Sequence, residues 1–272
     1  MICLTVDCEQ WNSPKLRGVD VKENDNTEFS KDGNDKLLEL FSSYQVKSTF
    51  FITGFFAEKE PVQVKQILKK NHEIACHGYE HWYRDNPAIN QEEDITHAKK
   101  VLEKIAGVKV MGFRAPQMQY NEGLLHTLQD QGFRYDSSLN PAWFPFWINN
   151  KNMPLSPFKI KGCSVMEIPV GARPGSRFPL SWMFLRTMPY GYVKGSIRKL
   201  IDEKITPVLY IHSWEAIPLK SPHVPWYFRR NTGKRFLRRL ERLFHDFEDQ
   251  RFTTVDLLYE QLSPRRSNKG NV

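Results

Sequence analysis

Short apolar runs alternate with amphipathic helical stretches along nearly the whole chain, and this alternation restricts the fold more than any other feature. ICLTVDCE (2–9), KSTFFIT (47–53), EIACHG (73–78), VMGFRAP (110–116), FRYDSSL (133–139), SVMEIPV (164–170) and TPVLYIHSW (206–214) read as strands, and FTTVDLL (252–258) as a closing one. Helical periodicity occupies 34–45, 60–72, 89–107, 121–132, 192–204 and 233–249 between them. Strands separated by helices pair in parallel, so the expected class is α/β, either an open doubly wound sheet or a closed barrel. One domain over residues 1–261 is expected, with the Pro- and Trp-rich stretch 140–190 as an irregular insertion walling a cleft. The polar tail LSPRRSNKGNV (262–272) has the composition of a disordered segment.

No apolar stretch approaches the roughly 20 residues that span a bilayer. Acidic residues interrupt the first apolar run before a signal-like core can form, so a cytoplasmic protein is expected. Cys3, Cys8, Cys76 and Cys163 form no CxxC pair and sit mostly in apolar runs, as free thiols do. There is no Walker loop and no GxGxxG, and no nucleic-acid partner is expected. The net charge of +8 is concentrated in residues 229–242, where Arg229, Arg230, Lys234, Arg235, Arg238, Arg239 and Arg242 crowd together. That segment is either a solvated helix face or a peripheral contact for anionic lipid at the inner membrane face, phosphate or an acidic glycan.

In parallel α/β folds, function gathers where strands end at their carboxyl side. The first strand ends in Asp7, Cys8 and Glu9; the third ends in His77, with His81 four residues on; later ends carry Arg114, Asp136, His212, Trp214 and Glu215. Burying isolated charges costs several kcal/mol unless they are paired or bind metal, and one shared site accounts for all of them. If the chain turns helically after His77, both histidine rings face one point. Two histidines and a carboxylate are a catalytic zinc set with a position left open, and equally the facial triad of non-haem iron. Asp7 or Glu9 then offers a general base, His212 a general acid, and Arg114 a bidentate clamp on a carboxylate.

TVDCE, HGYEH, GFRAP, YDSSL and YIHSWE, in this order, resemble the five motifs of the polysaccharide deacetylases, the carbohydrate esterase family four or NodB-like domain, over residues 1–260. The form of the motifs is most similar to the branch found with surface-polysaccharide gene sets. The resemblance implies a distorted, incomplete (β/α) TIM-like barrel and one divalent metal ion, commonly zinc, serving removal of acetyl groups from glycans. It implies Asp7 as base, His77 and His81 as metal ligands, Arg114 holding the base, His212 as acid and Asp136 orienting that acid. Family members usually carry two adjacent aspartates, whereas here Cys8 separates Asp7 from Glu9. Residues two apart on a strand share a face, which makes Glu9 the expected third ligand and Cys8 the lesser alternative. Gln117, Met118 and Gln119 stand where an aromatic residue is usual, so the substrate groove is expected to differ.

The expected substrate is an N-acetylated sugar of a glycan or a lipid-linked precursor. Two alternatives accompany it: an amidase acting on a small cyclic amide, and an inactive glycan-binding barrel. Among the tryptophans, Trp214 is expected to stack on a sugar because it adjoins His212.

Overall fold

The computed structural model describes residues 1–84 and 86–263, in which eight parallel strands form one curled sheet. The elements run β1 (Ile2–Cys8), α1 (Glu28–Ser43), β2 (Thr49–Ile52), α2 (Gly54–Lys59), α3 (Pro61–Lys69), β3 (Glu73–Cys76), α4 (Gln91–Ala106), β4 (Gly112–Phe113), α5 (Glu122–Asp130) and β5 (Tyr135–Asp136). An antiparallel hairpin of β6 (Trp143–Phe144) and β7 (Ile148–Asn149) follows. Then come β8 (Met166–Glu167), α6 (Trp182–Thr187), α7 (Tyr190–Asp202), β9 (Val208–His212), α8 (Trp226–Arg229), α9 (Lys234–Asp246), β10 (Phe252–Thr253) and α10 (Val255–Leu262).

Strand order is β9-β1-β2-β3-β4-β5-β8, with β10 paired to the first two residues of β1. Between β8 and β9 no ladder forms among the described residues. Instead the Gly171 N–H donates to the Val208 carbonyl at 2.7 Å, and Ser181 bridges Tyr210. The chain therefore has the α/β architecture of an incomplete, distorted barrel.

Alternation along β1 separates two layers. Ile2, Leu4, Val6 and Cys8 pack outward against the helices with Leu37 and Phe41 of α1, while Cys3 faces the barrel interior with Phe51, Ala75 and Tyr135. All four cysteines are free and buried. No helix among the described residues is long and apolar enough to cross a membrane.

Several boundaries differ from the sequence reading. The expected closing strand 252–258 is a two-residue strand followed by α10, because Val255 and Leu258 are buried at helical spacing. The stretch 140–190 is not one insertion: β8 lies inside it as a barrel strand, and Gly171 helps close the barrel. Helix α1 starts at Glu28 rather than 34 and carries Gly33 against the chain after β9, where a Cβ would lie 2.0 Å from the Ser213 carbonyl oxygen. Leu262 ends α10, and residues 264–272 of the expected polar tail lie outside the described residues.

Candidate metal centre and active site

Asp7 and Glu9 leave the carboxyl end of β1 toward the barrel interior. Cys8 between them points outward, where its thiol accepts from Asn34 Nδ2 at 3.0 Å, and burial pushes the thiol up to about 12. A protonated thiol facing the helix layer is no metal ligand, which leaves the position to Glu9.

His77 follows β3 directly, but no helical turn carries the chain on to His81. Gly78 turns it at φ +69, and a Cβ there would meet the Tyr83 hydroxyl at 2.7 Å. Asp94 of α4 pins this loop by accepting from Tyr79 N at 2.7 Å, Glu80 N at 3.0 Å and the Tyr83 hydroxyl at 2.5 Å. Gln117 Oε1 accepts from Tyr83 N and Arg84 N at 3.1 and 2.8 Å, so one of the three residues standing where an aromatic is usual helps hold the histidine loop. The two imidazole rings end 5.4 Å apart.

His77 Nδ1 lies 2.7 Å from the Arg114 carbonyl oxygen, and His81 Nδ1 lies 3.2 Å from Asn12 Oδ1. Both partners are acceptors, so each Nδ1 carries the proton and each Nε2 is left to face Glu9. Glu9 Oε2 is 2.6 Å from His81 Nε2 and 3.6 Å from His77 Nε2, and the three ligand atoms lie within 4.8 Å of one another. Glu9 Oε2 and His77 Nε2 are buried without a hydrogen-bond partner. Burial opposes ionisation of Glu9, but the facing His81 and His212 hold its carboxyl well below the usual range. An anionic oxygen and two ring nitrogens converging on one point fit a divalent cation.

Asp7 is clamped by Arg114, whose Nη1 donates to Asp7 Oδ1 at 2.6 Å and to Thr5 Oγ1 at 2.8 Å. Its Nε and Nη2 donate to the carbonyl and hydroxyl of Ser137, each at 3.0 Å. The clamp is thus one nitrogen on Asp7 rather than the bidentate pair expected, because the rest of the fork is spent on Ser137. Asp7 Oδ2 is left facing His77 Nε2 at 3.9 Å.

His212 is the register partner of Asp7 across β1 and β9. Its Nε2 is 4.0 Å from Glu9 Oε1 and its Nδ1 is 3.5 Å from Glu215 Oε2. Burial lowers its pKa, but the carboxylates of Glu9 and Glu215 outweigh burial and the net shift is upward. Glu215 also accepts the His212 backbone N–H at 2.8 Å and lies 3.1 Å from Arg186 Nε. The carboxylate beside the histidine is therefore Glu215, three residues along the chain. Trp214 is 4% exposed, stacks on His212 with centroids 5.0 Å apart, and donates Nε1–H to Glu9 Oε1 at 3.3 Å. It positions site residues instead of offering a free face to a sugar.

Asp136 does not meet His212. It is in register with Glu167 across β5 and β8. Asp136 Oδ1 accepts from the Ser138 hydroxyl at 2.6 Å, Glu167 Oε1 accepts from Leu139 N at 3.0 Å, and the remaining oxygens find no other partner. Burial raises both carboxyls, and Asp136 raises Glu167 further, which favours a proton shared by the pair. Because both folded pKa values lie above the unfolded ones, this stabilisation is present below the unfolded carboxyl pKa and is lost as pH rises through the folded values. Glu167→Gln, which places an amide N–H toward Asp136, should flatten the fall in Tm that sets in as pH rises above the ordinary carboxyl range. An unchanged pH slope in the variant would remove the shared proton.

A cavity of about 610 Å³ opens over these groups. Asp7, Glu9, His81 and His212 line its buried end, and Trp147, Trp182, Tyr227 and Phe228 form an aromatic wall reaching outward to the fully exposed Phe146. Asn12, Asp94, Gln117 and the pairing of Glu215 with His212 are the parts that motif spacing alone did not assign.

Residues 24–135 match the family model for polysaccharide deacetylase, and residues 137–260 match a domain of unknown function, DUF3473. A peptidoglycan-N-acetylglucosamine deacetylase of Bacillus cereus is 34% identical over 100 residues, which are 36% of this chain and 46% of that protein. Over residues 24–135 the chain is similar to the polysaccharide deacetylase family. It spans less than half the length of that relative. Among solved structures, a Mycobacterium smegmatis protein classed as a polysaccharide deacetylase shares the fold at TM-score 0.66 and 19% identity, covering 100% of this chain and 94% of its own. An allantoinase shares it at TM-score 0.63 and 17% identity, over 98% and 91%. The two family matches meet at β5, within one continuous sheet, and the site draws on both: His77, His81 and Arg114 from the first, His212 from the second. Asp7 and Glu9 precede the first match.

Proposed function

We propose that the chain is a metal-dependent hydrolase that removes an acetyl group from an N-acetylated sugar. The observation carrying this reading is the convergence of Glu9, His77 and His81 beside Asp7 and His212 at the buried end of one cavity. The relative named above is a deacetylase of N-acetylglucosamine in peptidoglycan, which supports the same bond type here.

A divalent ion held by Glu9, His77 and His81, with zinc suited to that donor set, would supply Lewis acidity at the acetyl carbonyl and an acidic water. Asp7 takes the proton of the attacking water at Oδ2, since Oδ1 is engaged by Arg114. His212 gives a proton from Nε2 to the departing nitrogen as the C–N bond breaks, while Glu215 stands at Nδ1 and favours the protonated ring. Water's oxygen ends in acetate, its proton on Asp7, and the sugar leaves as the amine. The aromatic wall suits the apolar face of a pyranose, and a cavity open at Phe146 and Trp147 suits a glycan better than a sealed pocket for a small cyclic amide.

Within this reading the glycan is a surface polysaccharide or its lipid-linked precursor met in the cytoplasm, with residues 229–242 approaching anionic lipid. Charge supports that placement. Elemental analysis and acetate release from a panel of N-acetylated sugars and oligosaccharides test the function together. Near one metal per chain with acetate release is expected. Protein that takes up no divalent metal when supplied with it overturns the mechanism.

A further inference from the structure

A second cavity, of about 340 Å³, lies behind the aromatic wall and is framed by Arg186, Tyr190, Arg235, Arg238, Arg239 and Arg242. Arginines 235, 238, 239 and 242 recur along α9 at the spacing of one helix face. Among the described residues, only Arg186 and Arg242 of these five have a carboxylate within 4.0 Å. The partner of Arg242, Asp246, is already engaged by Lys194 at 3.1 Å and by the Tyr190 hydroxyl at 2.7 Å. The cavity therefore concentrates positive charge with little of the opposite sign.

A solvated helix face accounts for the exposed Arg235, Arg238 and Arg242. It does not account for Arg186, which is fully buried. Arg186 Nη2 donates to the Phe228 carbonyl, but Nε meets Glu215 out of line for a hydrogen bond, and Nε and Nη1 have no hydrogen-bond partner. Arg239 repeats the pattern: Nη2 donates to the Met188 carbonyl while Nε is buried without a partner. Burial pushes the Arg239 pKa down, Tyr190 opposes the shift, and the neighbouring Arg242 adds to it. Buried idle guanidinium donors beside a ring of exposed arginines suit a tetrahedral oxyanion, which accepts several forked N–H groups at once.

We infer that this cavity binds a phosphate group, either free phosphate or the headgroup phosphate of an anionic lipid. The inference goes beyond the deacetylase reading: none of the arginines touches the metal ligands, and the link to the active site is the ion pair of Arg186 with Glu215. Arg186 also lies outside the basic segment 229–242.

The test compares the full-length chain with an Arg235→Ala/Arg238→Ala variant, whose replaced side chains are exposed and leave Arg186 in place. Calorimetric titration with inorganic phosphate, against sodium chloride at equal ionic strength, should show saturable binding that weakens at least tenfold in the variant. Acetate release from a small soluble substrate should be unchanged, which separates this site from phosphate bound at the metal centre. Sedimentation with phosphatidylcholine vesicles, with and without phosphatidylglycerol, identifies the source. Capture by the anionic vesicles, lost in the variant and competed by phosphate, assigns a lipid headgroup; phosphate binding without capture assigns free phosphate. Equal phosphate binding by wild type and variant, or an effect reproduced by chloride, overturns the inference.

Discussion

Glu9→Ala should leave a folded protein that retains no divalent metal and releases acetate at least ~10³-fold more slowly, because Lewis-acid stabilisation is worth several kcal/mol. Glu9 is the one carboxylate among the three converging side chains, and its Oε2 faces both Nε2 atoms. The loss of metal affinity should exceed the ~10–100-fold typical of removing a group that merely orients a ligand. Cys8 cannot substitute, since its thiol lies in the outer layer against Asn34. Elemental analysis of the purified variant, with circular dichroism to establish folding, checks both parts. One equivalent of metal retained by the alanine variant would move the ligand assignment away from Glu9.

Arg114→Ala should be the most damaging single change to the fold among the site residues. Arg114 is fully buried and spends its donors on Asp7, Thr5 and Ser137. It also lies over the Phe51 ring, with its guanidinium carbon 4.0 Å from the centroid. Removing it leaves the Asp7 carboxylate buried without a partner, a change that typically costs about 3–5 kcal/mol. In a chain of this size the expected fall in Tm is on the order of 10 °C. Lysine should not rescue it, having no fork to reach Asp7 and Ser137 together. Asp7→Asn separates the roles: an amide oxygen still accepts from Arg114, so stability falls by less, while loss of the base lowers kcat by roughly 10²–10⁴. Calorimetry and kinetics on the three variants decide the matter. A stable, active Arg114→Ala protein would show that the pair neither holds the fold nor sets the base.

The alternation of strands and helices was legible because buried strands and amphipathic helices leave different periods in the sequence. Strand lengths were less so. VMGFRAP and FRYDSSL each supply only two laddered residues, since an apolar run shows burial and not how far a curled sheet stays in hydrogen-bonding register. That Glu9 shares a face with Asp7, and Cys8 does not, was legible from pleat parity. The His77 and His81 pair was found by its spacing although the backbone between them is a glycine turn and not a helix; four residues permit convergence either way. The contact of Asp136 was misread because its neighbour is fixed by the register of β5 against β8, which brings in Glu167 from 31 residues away. Nothing in the local sequence records that register. Glu215, by contrast, was noted as a strand-end acid, and only its pairing with His212 needed coordinates.

β1 contributes Asp7 and Glu9 and is also the strand on which β2, β9 and β10 assemble. Its ladder with β9 joins residues about 205 positions apart, such as Leu4 with Leu209, and ladders of such sequence separation form slowly. During synthesis β1, made before the other strands of this sheet, therefore waits with one edge unfilled until β9 has been made. Over that interval the nascent chain has Asp7, Glu9, His77 and His81 but no His212, so the residue proposed as the acid is the last of the site groups to be delivered. A fragment ending where the first family match ends would stop at this same stage, with an open strand edge prone to pairing with other chains.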